Sequence, residues 1–259
     1  MTDWAAYVAE FHALHPGISE QVLTRTTNGD TTPYTWLARA VSGQRVLDLA
    51  CGNGALTQAL REEGRASDPW VVGADLSVAE LRDGRRRGRT EPVVVADALR
   101  LPFADACFDA VVCSAGLMVV GDVDAALVES GRVLRAGGVF AATVATVRPV
   151  RPSDVRLLAP LTARLRSTPQ FPAGGELTGL GSSLAAAGFT VLEDASERFG
   201  YVVRTAEDAD LLMRALYLPG TPDRRRVNAA RWLAERASSA PEDGVDVAVP
   251  VRRLVALRS

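Results

Sequence analysis

The sequence predicts an α/β fold built on a doubly wound, mostly parallel sheet, and three observations carry that expectation. Residues 45–56 read RVLDLACGNGAL, which is an apolar strand, a turn punctuated by Gly52 and Gly54, and the start of a helix. Strand-length apolar runs then alternate with helical stretches as far as residue 147. Those runs are short and nearly all apolar, as parallel strands covered on both faces require. With 259 residues, 47% of them apolar, the chain is long enough for one large α/β domain or for one domain with an insertion.

Taken in order, Trp4, Tyr7, Val8, Phe11 and Leu14 fall on one stripe of a helix over 3–14, which His15-Pro16-Gly17 ends. Residues 18–23 suggest a second short helix, TRTTNGDTTP (24–33) a polar loop, and 34–41 a third helix. Strand Val46–Leu49 feeds a helix over 55–63. Strand Trp70–Ala74 ends at Asp75, and Ser77 caps a helix to about Arg86. Strand Val93–Ala96 ends at Asp97, strand Phe108–Ser114 follows, and Asp122 caps a helix to Val133. Gly137-Gly138 turns into strand Val139–Val144. Beyond Val147 the rhythm breaks, with Pro149, Pro152, Pro160, Pro169 and Pro172 around a helical piece near 154–166. Glu176–Ala187 returns to helix and Phe189–Leu192 to strand; 207–218 and 224–238 read as helices. Val245–Leu257 is a last strand in which Pro250 marks an edge or a bulge. The division this suggests is 1–40 as an N-terminal helical segment, 41–147 as the α/β core, and 148–259 as later helices and final strands.

Composition narrows the function classes. A net charge of −2 gives no overall pull toward nucleic acid or anionic lipid. No apolar run reaches the roughly 18 residues of a membrane helix, and the acidic start MTDWAAYVAE has no secretory character. Cys51, Cys107 and Cys113 have no C-x-x-C spacing, so free thiols and a reducing, cytoplasmic location are expected. All 29 basic residues are Arg, which excludes a catalytic lysine or a Schiff base. No G-x-S-x-G and no metal-ligand spacing of His and Cys occurs.

The residues that carry chemistry collect at the carboxyl ends of the expected strands, where open α/β sheets bind ligands. They are Ala50, Gly52 and Gly54 after the first strand of the alternation, Asp75 and Leu76 after the second, Asp97 and Ala98 after the third, and Ser114 after the fourth. Asp48 adds an acid within the first strand; its carboxylate needs either a cationic ligand or N–H groups of the loop that follows. The G-x-G-x-x-G/A dinucleotide fingerprint is incomplete, because Thr57 stands at its third position and Asp48 would repel a pyrophosphate.

The segments VLDLACGNG, VVGADLS, ADALRLPFADACFDAVVCS and RVLRAGGVFAATV, within 44–147, resemble the successive motifs of class I S-adenosylmethionine-dependent methyltransferases. The similarity is to the ubiquinone/menaquinone-biosynthesis-like (type 11) branch. The resemblance implies a Rossmann-like seven-stranded sheet with its last strand antiparallel. It also implies an S-adenosyl-L-methionine site built from Asp48, Gly52, Gly54, Asp75 and Asp97, with S-adenosyl-L-homocysteine as product. In such a site Asp75 would accept ribose hydroxyls, Asp97 the adenine amine, and Leu76, Ala98 and Leu99 would sandwich the purine.

In proteins of this family, segments like those flanking the motifs form the lid and the acceptor pocket. His12, near Tyr7 and Phe11, is therefore the candidate general base, with His15 beside it. Packing or helix capping is the other reading of both histidines. Arg85-Arg86-Arg87-Gly88-Arg89 and Arg224-Arg225-Arg226 read as solvated helix ends. A small-molecule acceptor, methylated on oxygen or nitrogen by a monomer or homodimer, is the expectation. The alternatives are the same fold binding the cofactor without methyl transfer, as a cyclase, isomerase or binding protein, and an RNA methyltransferase. Cys113-Ser114-Ala115-Gly116 stands where an N-P-P-[YF] segment would mark a methylase of DNA or protein amides.

Overall fold

The computed structural model describes residues 2–63, 69–89, 92–174, 177–240 and 243–259. Helices α1 (Trp4–Leu14) and α2 (Ile18–Leu23) lead to strand β1 (Thr26–Thr27), and α3 (Pro33–Ala38) precedes the regular alternation. That alternation runs β2 (Arg45–Leu49), α4 (Ala55–Glu63), β3 (Trp70–Asp75), α5 (Val78–Arg86), β4 (Val93–Val95), β5 (Phe108–Ser114), a 3-10 turn at Gly116–Met118, α6 (Val123–Val133) and β6 (Leu134–Ala145). The remainder is α7 (Pro152–Leu165), α8 (Leu180–Ala186), β7 (Phe189–Val203), α9 (Ala206–Ala215), α10 (Asp223–Ser238) and β8 (Val245–Arg258).

All these strands form one sheet in the order β1-β7-β8-β6-β5-β2-β3-β4. Strands β4, β3, β2, β5 and β6 pair in parallel, and β8 runs antiparallel between β6 and β7. The chain steps outward from β2 to β4 and then crosses back to β5, so the crevice between β2 and β5 is the switch point.

Alternate residues face opposite layers. Leu47, Leu49, Val111, Cys113, Phe140 and Ala142 pack under α6 and α8, whereas Val46, Ala110, Val112 and Ala141 pack under α3 and α4. Each fully buried Leu or Phe among these contributes about 1.5–3 kcal/mol. A third cluster joins Phe11, Ile18 and Val22 to Leu157, Leu161, Tyr201, Leu212, Tyr217 and Leu233, so α1 and α2 pack with α7, α9 and α10.

Several local expectations change, and the strand expected over 189–192 runs on to Val203 as β7. An eighth strand, β1, lies inside the stretch read as a loop; Thr26 pairs with Tyr201, and its hydroxyl donates to the Val22 carbonyl at 2.8 Å. Pro250 sits in an interior strand but just past the last β6 pair, Ala145↔Val251, so its missing donor disrupts no regular β6 pair. Gly137-Gly138 lies within β6, where the register with β5 shifts between Phe108 and Ala110. The late helix begins at Leu180, and its expected start, Glu176, lies outside the described residues.

Candidate functional site

The site grows from the turn after β2. Ala50, Gly52 and Gly54 all adopt left-handed backbone, with φ of 53°, 55° and 89°. Helix α5 comes so close to this turn that a Cβ on Gly84 would stand 2.6 Å from the Asn53 carbonyl oxygen. On the other side Ala50 meets the turn after β5 at Gly116.

Asp48 shares the face of Val46, beneath α4. There the Thr57 hydroxyl, at the position where a dinucleotide fingerprint has Gly or Ala, donates to its Oδ2 at 2.7 Å. The carboxylate is 1% exposed, and Oδ1 has no hydrogen-bond partner among the described residues. Burial, opposed by Thr57 and reinforced by Asp75, pushes its pKa up to about 7.

Asp75, at the end of β3, accepts the Ser77 amide on Oδ1 (2.7 Å) and the Gly52 amide on Oδ2 (2.8 Å). It thereby ties the glycine turn to the next strand and retains lone pairs for further donors. Burial raises its pKa as well. Leu76 stands 69% exposed beside it. Asp97 is exposed and accepts the Leu99 amide at 2.9 Å, with Ala98 half-buried and Leu99 exposed. The Ser114 hydroxyl is 3.2 Å from that of Thr143 on β6. The side chains brought to this edge are thus carboxylates and small or apolar groups. The arginine nearest the turn, Arg89, donates to Asn53 and Glu20.

The N-terminal candidates converge on two residues that the sequence reading missed. His12 Nδ1 lies 2.7 Å from Glu80 Oε1, and its Nε2 lies 2.6 Å from the Tyr217 hydroxyl. Glu80 Oε2 accepts the Gly17 amide at 2.9 Å and is 3.8 Å from where a Gly52 Cβ would be. Phe11 stacks on Tyr217 at 4.3 Å between centroids, His15 meets Phe11 edge-on, and the Tyr7 hydroxyl accepts the Leu218 amide at 3.0 Å. Glu80 hides in the sequence because Ser77-x-x-Glu80 has the spacing of a capping box, whose acid would turn back to the Ser77 amide. Asp75 holds that amide, which leaves Glu80 to reach His12. No local signal marks Tyr217, 205 residues away from His12.

In the basic stretch at the end of α5, Arg85, Arg86 and Arg87 stand exposed as expected, and the reading is corrected at Arg89. Arg87 donates to Asp83 at 2.6 Å, and Arg89, only 17% exposed, pairs with buried Glu20 of α2. Arg226 likewise binds the carbonyls of Met213 and Leu216 rather than standing in solvent. Cys51 and Cys113 are free and buried and Cys107 is half-buried; burial raises all three thiols, Cys113 to about 12. Among the described residues no cluster of His, Cys, Asp and Glu could hold a metal. No helix among them is long and apolar enough to cross a membrane.

Residues 47–142 match the family described as "Methyltransferase domain". The demethylmenaquinone methyltransferase of Mycolicibacterium paratuberculosis is 50% identical over 96 residues, covering 37% of this chain and 39% of that protein. The chain therefore spans about two fifths of the length of the curated relatives it matches. Among solved structures, the YcgJ protein from Bacillus subtilis is 17% identical, with 87% of this chain and 97% of that one covered and a TM-score of 0.56. The cyclase SpnF is 21% identical, with 87% and 80% covered and a TM-score of 0.56. These last two are likenesses of fold. The matched segment contains Asp48, Glu80 and every strand-end residue of the site; His12 and Tyr217 lie outside it.

Proposed function

We propose that this chain, whose residues 47–142 match the methyltransferase-domain family, is a class I methyltransferase of the menaquinone/ubiquinone-like branch that transfers a methyl group from S-adenosylmethionine to an oxygen or nitrogen of a small-molecule acceptor. The observation that carries this reading is the set of carboxylates at the strand ends, above all the partnerless buried oxygen of Asp48 under the left-handed turn. A nucleoside that carries positive charge, and no phosphate, suits such a site. In this reading the turn 50–54 and Asp48 hold the cationic amino-acid end, and Asp75 accepts the ribose hydroxyls. Leu76, Asp97 and Ala98 take the adenine, and Ser114 borders the crevice on the β5 side. When bound, S-adenosylmethionine supplies a methyl group already activated by its positive sulfur.

The protein's task is then mainly placement, which supplies roughly 7–11 kcal/mol when two reactants are aligned. Residues 1–40 cover the site in this proposal, and 148–259 shape the acceptor side, where Tyr7 and Phe11 stand beside Tyr217 and His15 beside Phe11. The names of the curated relatives support a small quinone-like acceptor. The test is incubation with methyl-labelled S-adenosylmethionine and a pool of small metabolites. The expected result is S-adenosylhomocysteine together with label in a small molecule. Tight cofactor binding without turnover would instead favour a cyclase or a binding protein of the same fold.

A further inference from the structure

We propose that Glu80, His12 and Tyr217 form a proton relay that takes the proton of an acceptor hydroxyl, so that the methyl group is placed on oxygen. The inference rests on the methyl-transfer reading above and narrows its acceptor.

The geometry sets the direction of the relay. Glu80 already accepts the Gly17 amide on one oxygen, and as a carboxylate it accepts a second hydrogen bond from His12 Nδ1. In the relay the imidazole carries its hydrogen on Nδ1 and turns the lone pair of Nε2 to the Tyr217 hydroxyl, 2.6 Å away. Tyr217, 7% exposed, packs in turn among rings, with Phe11 at 4.3 Å and Phe171 at 5.3 Å. Its phenol is raised above its ordinary range by burial and by Glu80, so it stands protonated and passes protons on rather than waiting as a phenolate. The charged or titratable groups facing His12 are Glu80 from α5, Tyr217 after α9 and Asp75 at the end of β3, with Tyr7 and His15 on or beside its own helix.

The step balances as follows. The acceptor O–H gives its proton to the Tyr217 oxygen, and the Tyr217 proton moves to His12 Nε2. The resulting imidazolium is paired with Glu80. The acceptor oxygen forms the new C–O bond as the methyl–sulfur bond breaks and its electron pair returns to sulfur. His12, 19% exposed, then releases the proton to solvent. An arylamine, neutral at pH 7, needs no such relay, since its lone pair attacks first and its proton is lost afterwards; an alkylammonium would need one, as a hydroxyl does. A phenolic hydroxyl, with a pKa near ~10, does need one.

With two histidines in the chain, nitrogen-15 NMR of the free protein reads this arrangement directly. The expected result is a neutral His12 with hydrogen on Nδ1, whose Nε2 signal moves in Tyr217→Phe. An Nε2–H tautomer, or no response to that substitution, overturns the proposal. Methyl transfer is then assayed with catechol, guaiacol and naphthohydroquinone against aniline and 4-methylaniline, amines that are neutral at pH 7. O-methylation of a hydroxyl probe is expected, with kcat lowered ~10²-fold or more in Tyr217→Phe and Glu80→Gln. The loss should shrink as rising pH ionises the acceptor itself, while S-adenosylhomocysteine affinity by calorimetry stays unchanged. Transfer to amines alone, to no probe, or at an undiminished rate in Tyr217→Phe overturns the relay. Absence of S-adenosylhomocysteine binding to the unsubstituted protein would instead defeat the methyl-transfer reading itself.

Discussion

Asp48 is a carboxylic acid held in an apolar strand by the hydroxyl and the backbone of Thr57, and its protonation links the site to stability. Its pKa rises from 3.8 to about 7 through burial, so between those values the folded chain binds the proton and the unfolded chain does not. Stability from this residue is therefore fully present below the lower value and falls as pH climbs through the upper one, by at most about 4 kcal/mol. Asn keeps a carbonyl for the Thr57 hydroxyl without the charge. Asp48→Asn should accordingly gain stability relative to the unsubstituted chain between about pH 5 and about pH 8, as thermal unfolding at both would show. A difference that does not vary with pH would mean that Asp48 is ionised throughout. At this scale the sequence was informative where an acid interrupts or ends an apolar run, as at Asp48, Asp75 and Asp97. Glu80 was illegible because its spacing fits a helix cap, and Tyr217 because its partner is remote in the chain.

Among the elements, the junction between α2, the glycine turn and α5 is the most charged. Glu20, Arg89, Asn53, Asp83 and Arg87 form one network there, and Glu20 Oε2 is buried with no hydrogen-bond partner among the described residues. Breaking a buried pair from one side strands the other charge. Arg89→Met should therefore cost about 3–5 kcal/mol in urea unfolding, and adding Glu20→Met should restore much of it. A double substitution as unstable as the single one would show that Arg89 acts through Asn53 alone. The regular elements from β2 to β6 were legible because apolar period and capping residues agree; Asp122 and Ser77 both cap as expected. Strand β1 was not, since two residues paired to a strand about 175 positions away carry no period of their own. The basic run after α5 misled because burial of Arg89 depends on Glu20 in a helix far upstream.

Over the whole molecule, the order of the sheet explains why one end is chemical and the other is not. Five parallel strands point their carboxyl ends the same way, and the reversal between β2 and β5 opens the crevice into which the turn 50–54 projects. The α/β class and this edge followed from strand–helix alternation. The joining of α1 and α2 to α7, α9 and α10 in a single core did not, because which helices share a layer is decided by packing and not by local pattern. The central claim is that the edge is built for a cationic nucleoside. Titration calorimetry of the full chain with S-adenosylmethionine and S-adenosylhomocysteine, beside NAD and ATP, tests it most directly. The account predicts saturable binding of the first two and none of the phosphate-bearing pair; binding of NAD or ATP with no affinity for either sulfur compound would contradict it.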